Sequence, residues 1–355
     1  MTDYSTLERL LHKIALSSPS LSELTFDLEK LFNRTGFQRT DSVYVTGLAR
    51  AGTTTVMRAL YASAQFASLT YNDMPFVLAP NLWSKVSGFK GKLRQSKERA
   101  HKDGIQVNYD SPESFEEVFW RLHCGGEYIQ PKSLHVHEVD QNTLSELNTY
   151  HNLICLKNGK KRYLAKNNNT ILRLNSLANN FKDCTFLVVF RHPFSQAKSL
   201  LQQHIHFKYN DKFTHQYMNW LVHHEFGSTH RPFDFSTVSI AQADPIERSV
   251  SIDSSKLLNQ SKNECNVDYW LQRWVDAYGY LLTVLESGMP NVLPVNYEKI
   301  CNQPGYWSQI CGHISLNAIP YEFNHAHVLD NIDCDQVLKL KALSIYSKLN
   351  LLCCD

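Results

Sequence analysis

The chain has 355 residues, enough to bury a sizeable core and near the upper end for one α/β domain with insertions. Its composition, 43% hydrophobic and 20% charged, is that of an ordinary globular protein, and a net charge of +2 excludes a strongly polyanion-binding character while leaving room for a local basic pocket. Nine cysteines without a C-x-x-C pair read as reduced thiols, and the polar start with charges at Glu8, Arg9 and Lys13 reads as neither signal peptide nor membrane span, so a cytoplasmic chain is expected.

Leu7, Leu10, Leu11 and Ile14 recur at helical spacing, as do Leu21, Leu24, Leu28 and Leu31, which predicts two amphipathic helices within residues 1–40. Val43-Tyr44-Val45-Thr46 is a short apolar run that opens at Gly47 into Leu48-Ala49-Arg50-Ala51-Gly52-Thr53-Thr54-Thr55, and the helical pattern Val56–Tyr61 follows at once. A strand, a tight turn and a helix N-terminus let backbone N–H groups converge with the helix dipole behind them, and such a site holds a phosphate. The spacing from Gly47 to Gly52 is that of a Walker loop. Thr53, however, stands where a nucleotidase carries lysine, and the positive charge of the loop comes from Arg50. The missing lysine argues against kinase or ATPase chemistry.

Ala67–Tyr71 predicts a second strand, and Asp73 behind it lies in catalytic territory for an open α/β sheet. The competing role for Asp73 is capping the Met74-Pro75 turn. Residues 83–105 carry Lys85, Lys90, Lys92, Arg94, Lys97, Arg99 and Lys102 against only Glu98 and Asp103, the pattern of a solvated face or of a cap that attracts an anionic ligand. The stretch 83–135 is expected as an inserted helical cap, with Ser111 and Pro112 starting a helix. His135 and His137 alternate on one strand face with Glu138 pointing away, and two histidines do not make a zinc site, so no metal is expected. His223-His224-Glu225 sits among Trp220, Leu221 and Phe226 as in a packed helix.

Tyr163–Lys166 predicts a strand ending in lysine, followed by the turn Asn167-Asn168-Asn169 and a helix from Ile171 to Phe181. Thr185–Phe190 is apolar on both faces, as a central parallel strand should be. It ends at Arg191-His192-Pro193, where a helix opens with Ser195 and Ser199 one turn apart, and guanidinium, helix N-terminus and hydroxyls together form a second anion site. Residues 234–265 are polar and irregular and read as a lid. Tyr269–Glu286 predicts an aromatic helix, and Asn291–Glu298 a late strand ending in a Tyr-Glu step.

Together these two anion sites resemble those of sulfotransferases that use 3′-phosphoadenosine-5′-phosphosulfate (PAPS). Gly47–Thr54 is similar to the family's 5′-phosphosulfate loop, G-x-x-R-[ST]-G-[ST]-[ST], and departs from it at Ala51. Arg191 and Ser199, eight apart, resemble the arginine and serine that bind the 3′-phosphate, and Tyr297-Glu298 resembles a Tyr-Glu step after a late strand. Lys166 resembles the lysine of the D/E-K-[ST]-P stretch of Golgi-type and bacterial enzymes, with Ala165 and Asn167-Asn168 as different neighbours. The resemblance spans residues 40–205 and 270–315, and Asp73–Trp83, Ser111-Pro112-Glu113 and His223–Gly227 place it nearest to uncharacterised bacterial members.

The resemblance implies an α/β fold of the P-loop nucleotide-hydrolase kind, a central parallel sheet flanked by helices in one domain over residues 1–355. It implies in-line transfer of a sulfuryl group from PAPS to a hydroxyl or amine of a small-molecule acceptor, anionic and polar kinds included, with neither nucleic acid nor membrane as partner. Arg50, Ala51, Gly52, Thr53, Thr54 and Thr55 would hold the 5′-phosphosulfate, Arg191 and Ser199 the 3′-phosphate. Lys166 would neutralise the bridging oxygen, and fixed cations would stand in for Mg²⁺. Asp73 would be the general base, where Golgi-type enzymes place a glutamate; His135, His137 and Glu138 are its rivals, since cytosolic members use a histidine. A P-loop kinase or nucleotidase and a non-catalytic nucleotide-binding protein are the alternatives.

Overall fold

The computed structural model describes residues 6–34, 36–86, 97–98, 106–209, 212–236, 264–317, 320–324, 326 and 328–353. Its strands are β1 (Ser42–Thr46), β2 (Phe66–Ala67), β3 (Lys97–Glu98), β4 (Gln106–Val107), β5 (Leu134–His135), β6 (Arg162–Lys166), β7 (Cys184–Phe190), β8 (Phe233–Asp234) and β9 (Val292–Asn296). The first helices are α1 (Thr6–Ser17), α2 (Pro19–Phe32), α3 (Thr53–Tyr61), α4 (Pro80–Val86), α5 (Glu117–Tyr128) and α6 (Gln141–Asn158). They are followed by α7 (Leu174–Asn180), α8 (Pro193–Lys208), α9 (Lys212–Trp220), α10 (Val267–Glu286), α11 (Tyr297–Asn302), α12 (Tyr306–His313) and α13 (Gln336–Leu352).

Five strands make one parallel sheet in the order β2-β6-β1-β7-β9, as the sequence predicted for an α/β fold. Both faces are covered, which is why β1 and β7 read as apolar throughout. Val43, Val45, Leu164, Leu187, Val189 and Val295 pack on one side with Val56, Met57 and Leu60 of α3 and Ile310 of α12. The alternate residues Tyr44, Tyr163, Ala165, Phe186, Val188 and Phe190 pack on the other with side chains of α2, α5, α6, α8, α10 and α13. Tyr44 and Phe186 stack across neighbouring strands at 4.9 Å. Along the chain, the strands after β1 first fill one side of it and then the other. The order therefore reverses at β1, and its carboxyl end opens the crevice where open α/β sheets bind ligands.

Local signals and tertiary structure part company at several places. The helix predicted from Ser111 begins at Glu117 instead. Pro112 pairs with Thr70 in an antiparallel bridge and Glu113 N–H donates to Leu69 O, which keeps 111–113 extended. The expected cap region also sends α5 into the core, with Phe119 and Trp120 fully buried. Most of the basic run, residues 87–96 and 99–105, and most of the expected lid, 237–263, lie outside the described residues. The second strand is only Phe66–Ala67, and a 3-10 turn covers Tyr71–Asp73. No motif announced α13, which packs against α10 through Ala342, Ile345 and Leu349.

Candidate active site

β1 delivers the chain to Gly47, and the phosphate-type loop runs from there to Gly52 before α3 starts at Thr53. Two glycines are demanded by close approaches. Gly47 has φ 145°, and a Cβ there would lie 2.2 Å from Val189 O of β7. Gly52 has φ 97°, and its Cβ would lie 2.3 Å from the Tyr297 ring. Between them Arg50 adopts φ 69°, a left-handed conformation that is uncommon for residues with a side chain and that concentrates at functional sites. Ala51, the departure from the family pattern, is fully buried on the α3 side of the sheet, where a hydroxyl would need a partner.

The loop is braced from α8. Gln196 Nε2 donates to Leu48 O (3.1 Å) and Ala49 O (2.9 Å), and Arg50 Nε donates to Ser199 Oγ (3.0 Å). The residues expected at the two phosphates of the donor are therefore in contact. Arg191 follows directly on β7, with Nε 3.6 Å from Glu298 Oε1, and the same carboxylate oxygen accepts from His192 N–H at 3.0 Å. Burial pushes the Glu298 carboxyl up, while His192 N–H and Arg191 pull it down. Tyr297 lies over Gly52 and shares a hydrogen bond with Thr55, so the Tyr-Glu step touches both anion sites.

Lys166 ends β6 in register with Val45 of β1, which sets it beside the loop at the carboxyl edge. The strand end is anchored by a buried ion pair. Arg173 Nη2 meets Glu117 Oε1 at 2.8 Å with both side chains fully enclosed, and the other carboxylate oxygen accepts from Asn167 Nδ2. Asn168 then joins two elements: its Oδ1 accepts from Thr53 Oγ1 (3.4 Å) and its Nδ2 donates to Glu225 Oε1 (2.9 Å).

Asp73, the residue expected as the base, is engaged by neighbouring side chains and backbone. The residue is 1% exposed, and its Oδ2 accepts from Thr70 N–H (2.8 Å) and Thr70 Oγ1 (3.1 Å) while Oδ1 pairs with Lys157. Lys157 stands in the last turn of α6, only residues 159–161 away from the start of β6.

The histidine rivals are also committed. His135 pairs in register with Asp234, at 3.5 Å, and also contacts Ser133 Oγ at 2.8 Å. His137 stacks on Tyr128 at 5.0 Å, and burial with Arg173 nearby pushes its imidazole down to about 3. Among the described residues no group of three His, Cys, Asp or Glu side chains is placed to hold a metal ion.

Glu225 was read as part of a packed helix, but α9 stops at Trp220 and Val222 turns the chain with φ 51°. His223–Glu225 is therefore a loop, and it borders a shallow cleft lined by Leu48, Leu200, Glu225, Arg231, Phe233 and Trp270 among others. Leu48 belongs to the phosphate-type loop, so cleft and loop are continuous.

The fold is α/β with a phosphate-type loop, and the residues expected to bind the donor's anions gather where a parallel sheet reverses order. A profile of the sulfotransferase family matches residues 42–232, more than half of the chain, and the chain belongs to that family. Among solved structures it is similar to sulfotransferase STF1 from Mycobacterium tuberculosis H37Rv, at 12% identity and a TM-score of 0.48 over 98% of this chain and 85% of that one. It is also similar to sulfotransferase STF9 from Mycobacterium avium, at 12% identity and a TM-score of 0.46 over 97% of this chain and 77% of that one. Comparison with curated proteins finds no match. No described helix is long and apolar enough to cross a membrane.

Proposed function

We propose that the chain transfers a sulfuryl group from PAPS to a hydroxyl or amine of a small acceptor by in-line displacement. The observation that carries this reading is the Arg50–Ser199 hydrogen bond, 3.0 Å, with Arg191 at the neighbouring strand end. A nucleotide phosphorylated at both 5′ and 3′ on one ribose presents two anions close together, and this arrangement offers each of them a guanidinium. Backbone N–H groups from Gly52 to Thr55 and Arg50 bind the 5′-phosphosulfate; Arg191 and Ser199 bind the 3′-phosphate. The open backbone at Gly47 and Gly52 fits a loop that wraps a phosphate, because any side chain there would collide.

Charge spreads over the moving group and the bridging oxygen in such a transfer, so positioning and fixed positive charge do most of the work, by analogy with phosphoryl transfer. Lys166, at the carboxyl edge beside the loop, neutralises the bridging oxygen as the bond to sulfur breaks. The eight described cysteines are free, which fits a reducing, cytoplasmic setting.

Adenosine 3′,5′-bisphosphate tests the assignment. A ligand that binds only the native state stabilises it by about 2.7 kcal/mol at a hundredfold excess over Kd. The bisphosphate should raise the melting temperature far more than ADP does. Arg191→Ala should erase that difference, since a hydrogen bond to a charged group contributes roughly 1.5–3 kcal/mol. Equal shifts from the two nucleotides in the unaltered protein would refute the 3′-phosphate assignment.

A further inference from the structure

We infer that Glu225 is the base that takes the acceptor's proton, and that the cleft beside it receives an aromatic hydroxyl compound bearing an anionic group; this rests on the sulfuryl-transfer reading above. Three observations carry it. First, Glu225 is joined to the phosphate-type loop through one side chain: Thr53 to Asn168 at 3.4 Å and Asn168 to Glu225 at 2.9 Å. Only Oε1 is engaged, and Oε2 accepts no hydrogen bond among the described residues. A base must lie within hydrogen-bond reach of an acceptor that itself abuts the donor's sulfur, and this carboxylate borders the cleft that begins at Leu48 of the loop.

Second, the other titratable groups nearby are spent or averted. His230 lines the same cleft, but its Nδ1 contacts His224 O at 2.9 Å and its Nε2 contacts Tyr269 Oη at 2.8 Å. Phe233 and Phe235 line the cleft, whereas Asp234 and its partner His135 are not among the residues that line it.

Third, the walls have a chemistry. Phe233, Phe235 and Trp270, with Leu48 and Leu200, give the cleft apolar, aromatic walls against which a ring can pack. Arg231 also lines it and makes no ion pair among the described residues, whereas Arg273 is held by Asp276 at 2.9 Å. A lining guanidinium without an ion pair among the described residues suits an anion on the ligand.

The step balances. The acceptor's oxygen bonds to sulfur as the bond from sulfur to the bridging oxygen of the 5′-phosphate breaks. The hydroxyl proton passes to Glu225 Oε2, and the electron pair leaves on the bridging oxygen beside Lys166. A sulfate ester and adenosine 3′,5′-bisphosphate result, and Glu225 returns its proton to solvent.

Steady-state transfer from PAPS to 4-hydroxyphenylacetate, phenol and tyramine tests the proposal, with the bisphosphate melting shift measured on each protein. The anionic acceptor is expected to exceed phenol in kcat/KM at least about tenfold, with tyramine poorest, as charged hydrogen bonds allow. Glu225→Gln should lower kcat by roughly 10²–10⁴ and leave the bisphosphate shift intact. Arg231→Gln should collapse the preference for the anionic acceptor over phenol. If Glu225→Gln keeps more than half the turnover, or the preference survives Arg231→Gln, the proposal is overturned. Failure to sulfate any of the three acceptors while the bisphosphate still shifts melting overturns the acceptor class alone. Absence of that shift overturns the donor reading beneath it.

Discussion

Removing Arg173 should unfold the end of β6 before it does anything else. Its guanidinium is fully enclosed, 2.8 Å from Glu117 and stacked at 4.3 Å over Trp120 and 4.8 Å over Tyr128. Arg173→Met keeps most of the volume but strands the Glu117 carboxylate in a fully enclosed site. Breaking a buried pair from one side costs about 3–5 kcal/mol, a fifth or more of the ~5–15 kcal/mol that holds a domain together. Removing both charges leaves no such orphan, so Arg173→Met with Glu117→Leu should cost several kcal/mol less than the two single variants added together. Urea titration with linear extrapolation reads all four proteins. Because Glu117 also holds Asn167, next to Lys166 and Asn168, turnover should fall in every variant that remains folded. A single-variant cost under about 1 kcal/mol, or strict additivity in the cycle, would refute the claim that this pair anchors the strand end.

Asp73→Asn should lower stability by roughly 1–3 kcal/mol through the lost Lys157 pair and change turnover less than threefold. A fall of about 10²–10⁴ in turnover with unchanged melting would restore Asp73 as the base. Acid should destabilise the fold through His137 and His224, whose imidazoles burial pushes down to about 3 and about 4. Their folded values lie below the ordinary ~6.5, so the unfolded chain binds more protons as pH falls; the stability is complete above pH ~7 and is lost from about pH 6.5 downward, at about 2 kcal/mol per histidine by pH 5. Comparing urea unfolding at pH 7.5 and 5.0, His137→Phe should remove about one histidine's share of that loss, and an unchanged pH response would count against its neutral burial.

What the sequence made legible was the half of the site built on strand ends. β-Branched and aromatic residues at Val43–Val45 and Thr185–Phe190, glycines at 47 and 52, and Pro193 after Arg191 are local signals, and each produced the expected element. The other half depends on contacts far apart in the chain. Ser111-Pro112 has the chemistry of a helix cap, yet a bridge to Thr70 outweighs it, since pairing supplies hydrogen bonds and buries Phe115 as well. Glu225 was hidden because α9 stops at Trp220 without glycine or proline, and a left-handed Val222 makes the turn. The partner of Asp73 was equally illegible, because Lys157 lies 84 residues downstream.

The division has a physical consequence for how this site can vary. The donor side is over-determined: Gly47 cannot carry a Cβ without meeting β7, Gly52 cannot without meeting Tyr297, and Gln196 bonds two carbonyls of the same loop. A change at any of these positions disturbs the sheet itself. The loop after α9 is tied to the scaffold by side chains and backbone alike, among them Asn168 Nδ2 to Glu225, Gly227 N–H to His204 Nδ1 and Leu134 N–H to Pro232 O. Substituting Arg231, Phe233 or Phe235 alters the cleft without touching the loop from Gly47 to Gly52, so acceptor preference can shift at little cost in donor binding. Asn168 is the exception, because it bonds to Thr53 on one side and Glu225 on the other. Through that side chain Glu225 is tied to the start of α3 beside the phosphate-type loop, so under the proposed roles base and donor site would stay in register.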